Sequence, residues 1–122
     1  MEKELIPYEQ ALELKKLGFD ISCYERYYNG ELQVDYGQWN GHSIEHIVSA
    51  PLYQQAFRWF RDNHGLYNQI HKGYGWEGII RNSINSDIEW NEGTYNSPEE
   101  AELECLKKLI EIAKEKQNAG TI

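Results

Sequence analysis

The run from Pro51 to Gly65, PLYQQAFRWFRDNHG, places the strongest demand on any fold this chain can adopt. On a 3.6-residue helix, Leu52, Tyr53, Ala56, Phe57, Trp59, Phe60 and His64 fall within a little under half the circumference, and Gln54, Gln55, Arg58, Arg61 and Asp62 fill the rest. Ser49 is placed to cap the helix. Pro51 suits its first turn, where a missing N–H has no intrahelical partner to lose, and Gly65 can take the left-handed conformation that ends it. Burying the aromatic stripe stabilises by a few kcal/mol per ring at ~25 cal/mol per Å². No other segment offers as much, so a sheet or another helix must cover this face.

The flanking segments supply that cover. Ile6 to Gly18 reads as a helix, with Pro7 near its start, Ala11, Leu14 and Leu17 on one side and Gly18 as its stop. Ser22 to Tyr36 reads as a hairpin, because Asn29-Gly30 provides the two positive-φ residues of a type I′ turn between β-rich runs. That turn sets Tyr28 opposite Glu31, Tyr27 opposite Leu32, Arg26 opposite Gln33, Glu25 opposite Val34, Tyr24 opposite Asp35 and Cys23 opposite Tyr36. Cys23, Tyr27, Leu32, Val34 and Tyr36 then share a core face with Glu25 as its one charge. Tyr24, Arg26, Tyr28, Glu31, Gln33 and Asp35 share the wet one.

Residues 37–49 show little periodicity and read as a long loop. Leu66 to His71 and Gly75 to Arg81 form a second hairpin about Lys72-Gly73, and the polar stretch Asn82 to Asn96 has room for one short strand. Ser97-Pro98-Glu99-Glu100 is a capping box that opens a last helix to about residue 117, with Leu103, Leu106, Leu109, Ile110 and Ala113 as its buried stripe. The order is α-β-β-α-β-β-α. It predicts an α+β fold, an antiparallel sheet built from two hairpins with three helices packed on it. With 122 residues, the expectation is one domain over 1–122.

A formal charge of −8 argues against direct nucleic-acid binding or a grip on anionic membrane, which clustered Lys and Arg supply. No run approaches the length of a membrane span, and Met1-Glu2-Lys3-Glu4 lacks the basic start and apolar run of a secretion signal. The expectation is a cytoplasmic protein with no membrane association. Cys23 and Cys105 fit no CxxC pattern and read as buried small hydrophobes.

The phrases IPYEQALELKKLGFD (Ile6 to Asp20), APLYQQAFRWFRDNHGLYNQI (Ala50 to Ile70) and SPEEAELECLKKLIEI (Ser97 to Ile112) together cover roughly half the chain. In them the sequence resembles a group of small uncharacterised proteins of Bacteroidetes-type phages and prophages. The resemblance implies a mobile-element origin and a bacterial host cell, and it carries over no activity and no catalytic residue.

Two constellations bear on chemistry. His42-Ser43-Ile44-Glu45-His46 matches the H-x-x-E-H string in which two histidines hold zinc and the glutamate activates a bound water. Its place in a loop-like stretch, five residues before Pro51, leaves too little helix for that geometry, so His42 and His46 stand as a weak alternative metal pair. His64 and His71 flank the start of the second hairpin, where acids nearby suit either to proton transfer. No cofactor is implied.

The remaining signal is aromatic: nine tyrosines and four tryptophans are more than one small core hides. Tyr24 and Tyr28 beside Arg26 have the composition of a protein interface. The sequence therefore points first to a noncatalytic interaction protein that uses Tyr24, Arg26 and Tyr28 to bind a protein partner or to form a homo-oligomer. A small metal-binding or His-dependent enzyme is the alternative.

Overall fold

Caps and turns set the elements before any long-range packing does. In the computed structural model, which describes residues 5–21, 23–33 and 47–119, the first helix is α1, Tyr8–Leu17. Gly18 ends it in the left-handed region at φ 101°. Its N–H donates to the Lys15 carbonyl and the Phe19 N–H donates to the Leu14 carbonyl, both at 3.0 Å, a Schellman closure with Phe19 and Leu14 both buried. The chain divides into two compact units, Met1–Ala56 and Phe57–Ile122.

In the first unit, β1 (Arg26–Tyr28) and β2 (Glu31–Gln33) form the hairpin that Asn29-Gly30 encodes, with φ of 51° and 86° at the two turn residues. The pairs Tyr28–Glu31, Tyr27–Leu32 and Arg26–Gln33 have the register read from the turn. The pairings through Val34, Asp35 and Tyr36 lie outside the described residues. A third strand, β3 (Ile47–Ser49), pairs antiparallel with β1 on its other side. Ser49 is thus a strand residue opposite Arg26 and not a helix cap. The start of the next helix is set instead by Gln55, whose side-chain oxygen accepts the Leu52 N–H at 2.8 Å. This is the reciprocal half of a capping box without a hydroxyl at the cap.

Helix α1 lies against β3, where Lys15 Nζ donates to the Ile47 carbonyl at 2.7 Å. Tyr27 points inward from β1. Its hydroxyl donates to the Ile6 carbonyl at 2.7 Å, and its ring meets that of Tyr8 edge-on at 5.3 Å. Buried tyrosine hydroxyls need such a partner, and this one ties the chain entering α1 to the middle strand.

The unit boundary falls inside α2, Tyr53–His64. Ala56, Trp59 and Phe60 of the aromatic stripe are buried, Tyr53 and Phe57 are half-buried, and Leu52 is exposed. The second unit continues through β4 (Leu66–Lys72), β5 (Trp76–Asn82), β6 (Ile88–Tyr95) and α3 (Pro98–Ala119). The three strands form an antiparallel sheet in the order β4-β5-β6, and α3 packs on all three. Gly78 lets helix and sheet close: a Cβ there would sit 2.5 Å from Cys105 Sγ and 3.0 Å from Trp90 Cζ3.

Ser97 caps α3 through Oγ, which accepts the Glu100 N–H at 3.1 Å; the Glu100 carboxylate reaches back to the Asn96 N–H at 3.4 Å, one residue beyond the cap. Leu103 is half-buried, and Ala101 and Cys105 complete the buried stripe with Leu106, Leu109, Ile110 and Ala113.

The architecture is α+β, with both expected hairpins and all three expected helices. The first hairpin gains a third strand, the strand expected within Asn82 to Asn96 is present as the eight-residue β6, and the strands form two separate sheets where the sequence pattern pointed to one. The order is α-β-β-β-α-β-β-β-α.

Candidate functional site

Alternation along β1 sorts its side chains. Tyr27 is 9 % exposed and Tyr28, the next residue along, is 43 % exposed; Tyr24, at a bend before the strand, is 59 % exposed. Arg26 shares a face of β1 with Tyr28 and is half-buried, while Tyr24 lies at a bend two residues before the strand begins. Its Nε donates to Gln33 Oε1 at 3.0 Å, across the rung that pairs the two residues. β1 is the central strand of its sheet, so the patch presents side chains above a backbone already paired on both sides. The neighbouring positions on β3, Ile47 and Ser49, are buried, and the patch comprises side chains of β1 and β2 together with Tyr24, which precedes β1. Glu25, on the inner face, is half-buried, and its carbonyl accepts the Ala50 N–H at 3.0 Å.

The arrangement suits recognition. Two tyrosines present large amphipathic surfaces with few rotatable bonds, and the guanidinium between them in sequence is held by Gln33 before anything binds.

The two described histidines do not converge. His64 ends α2 with its ring 4.9 Å from that of Trp59 and 5.6 Å from that of Phe60. Burial, and then the Lys116 ammonium, lower its pKa. The neutral imidazole is therefore favoured. His71 lies near the far end of β4, five residues past Leu66 or about 17 Å along the strand. Its Nε2 is 2.7 Å from Glu77 Oε1, its partner across the β4–β5 ladder. Sequence reasoning missed Glu77. The connection is Gly73-Tyr74-Gly75 and not a turn about Lys72-Gly73; Lys72 is a strand residue opposite Trp76, and that register places Glu77 opposite His71.

Both thiols are buried, and burial is the main reason that each is pushed up to about 12. Glu25 adds to the effect at Cys23, and Glu102 does so at Cys105. Burial therefore disfavours the thiolate form of both near neutral pH, in keeping with buried small hydrophobes. His42 and His46 lie outside the described residues. Among the described residues no group of three or more His, Cys, Asp or Glu side chains is placed to hold a metal ion. No helix among them is long and apolar enough to cross a membrane.

Comparison with protein-family models, with curated proteins and with solved structures finds no match.

Proposed function

We propose that this chain is a noncatalytic protein-interaction module that binds a protein partner through Tyr24, Arg26 and Tyr28. The observation that carries the reading is the exposure of both tyrosines, 59 % and 43 %, on either side in sequence of an arginine already held by Gln33. A patch ordered before binding loses little side-chain entropy on association, and Tyr and Arg are the residue types in which interface energy concentrates. The acidic balance directs the reading to a protein partner, since a chain of charge −8 is repelled by phosphate backbones. The resemblance to phage and prophage proteins supports a partner in the cytoplasm of a bacterial host.

The test compares the parent with a variant in which all three residues become serine, each immobilised and exposed to host lysate. The parent retains a partner that the variant loses at an unchanged thermal midpoint. Equal capture by both proteins rejects the patch.

A histidine-dependent activity is the second reading, carried by the 2.7 Å contact between His71 and Glu77, which orients the imidazole for proton transfer. In that case His71→Ala removes a turnover that the triple-serine variant keeps.

A further inference from the structure

The outer edge of β4 carries chemistry that the tyrosine patch does not use. Ser83 N–H donates to the Gly65 carbonyl and Gly73 N–H to the Gly75 carbonyl, each at 2.8 Å. Both contacts continue the β4–β5 register and so mark its hydrogen-bonded rungs. Such rungs alternate in an antiparallel ladder. Tyr67, Gln69 and His71 therefore direct their amides at β5, whereas Leu66, Asn68, Ile70 and Lys72 turn theirs away from it. Among the described residues, β5 is the only strand that pairs with β4.

We infer that β4 is the edge on which a second copy of this chain docks, strand against strand about a two-fold axis. The two edges of the sheet differ in the ways that decide such pairing. β6 is blunted: its register with β5 shifts at two places, Thr94 sits at φ 70°, and Glu89 and Glu92 lie along it. β4 holds one register with β5 over its whole length and contains none of the chain's acidic residues.

For a molecule of charge −8 meeting its own copy, an acid-free strand is where the two approach with least repulsion. An axis through Gln69 pairs Asn68 with Ile70 of the second copy on either side of the axis, whereas the fully buried Leu66 takes no part. Gln69 then faces Gln69 of the second copy, and Tyr67 faces its His71. The two Lys72 ammonium groups lie at opposite ends of the paired strands, about 20 Å apart and beyond the screening length at physiological salt. One strand pair buries a small area, so the association belongs to the weak, reversible class. This surface is in the second unit and is independent of the tyrosine patch.

Sedimentation of the full chain between roughly 5 and 500 μM tests the pairing, together with two variants. Ile70→Pro removes an outward N–H that β5 does not use, and it raises the dimer dissociation constant about tenfold or more. Gln69→Cys places one thiol on each side of the axis at a rung without backbone hydrogen bonds, where cross-strand Cβ atoms approach closely enough for a disulfide. Mild oxidation then yields a covalent dimer, because the native Cys23 and Cys105 are buried. Thr94→Cys on β6 stays monomeric under the same treatment.

The inference is overturned by a parent that is monomeric at every concentration. It is equally overturned by a dimer in which Thr94→Cys cross-links and Gln69→Cys does not, or by loss of the dimer in the triple-serine patch variant. Should Ile70→Pro fail to fold, the cross-linking pair decides.

Discussion

Replacing Gly78 with alanine tests how closely α3 lies on its sheet. The added Cβ would stand 2.5 Å from Cys105 Sγ and 3.0 Å from Trp90 Cζ3, against about 3.5–4 Å for comfortable contact between heavy atoms. Cys105 is fully buried, and its Sγ is a single bond beyond Cβ, so no flexible end can swing clear. Overpacking of this kind costs about 1–3 kcal/mol. The backbone gain of alanine over glycine in a strand returns about 0.5–1 kcal/mol, which leaves a net loss of about 1–2 kcal/mol. Cys105→Ala alone removes one buried heavy atom and costs about 1 kcal/mol. In combination the two are expected to fall short of additivity by about 1 kcal/mol or more, because the second change removes the atom that the first collides with. Urea denaturation of parent, both single variants and the double variant measures the coupling. Additivity within about 0.5 kcal/mol, or a Gly78→Ala protein more stable than the parent, would refute the close contact.

Three further outcomes are expected. Phe60→Ala, at a fully buried site, costs about 3–5 kcal/mol by chemical denaturation. His64 has a folded pKa below the usual 6.5, so on acidification the unfolded chain takes up a proton that the folded one resists. Stability therefore falls as pH drops through 6.5, and thermal melts of His64→Asn show a flatter dependence in that range. At the alkaline end the folded thiols hold their protons to about 12 against 9.0 for the ordinary group. Between those values the folded chain binds more protons than the unfolded one, so stability declines as pH rises from 9 toward 12, and Cys23→Ser with Cys105→Ala removes much of that decline.

Local chemistry was legible where a few adjacent residues decide the outcome. Asn29-Gly30 specified a turn and with it three rungs of register, Gly18 specified a helix end, and Ser97-Pro98 specified a helix start. Alternation from that same turn set Tyr27 inward and Tyr28 outward, as their 9 % and 43 % exposure shows, while Tyr24 lies at a bend before the strand. What could not be read is decided by partners distant in sequence. Ile47–Ser49 is too short to show periodicity and becomes a strand only because β1 offers an edge to pair with. Ser49 consequently serves the ladder and not the helix. The strand allowed within Asn82 to Asn96 is present, but its full eight residues as β6 are set by pairing with β5 and by α3 above it. Whether strands merge into one sheet or close into two is likewise a tertiary matter, to which hairpin turns contribute nothing.

Affinity measurements on single patch variants test the central claim most directly, using the partner retained from host lysate. Tyr24→Ser and Tyr28→Ser are each expected to weaken binding by ~30-fold, as loss of about 2 kcal/mol at an interface anchor implies. Tyr74→Ser is the control, since Tyr74 is the most exposed of the large hydrophobic side chains among the described residues and lies in the other unit; it is expected to leave affinity unchanged. An affinity that falls with Tyr74→Ser and survives both Tyr24→Ser and Tyr28→Ser would contradict the account.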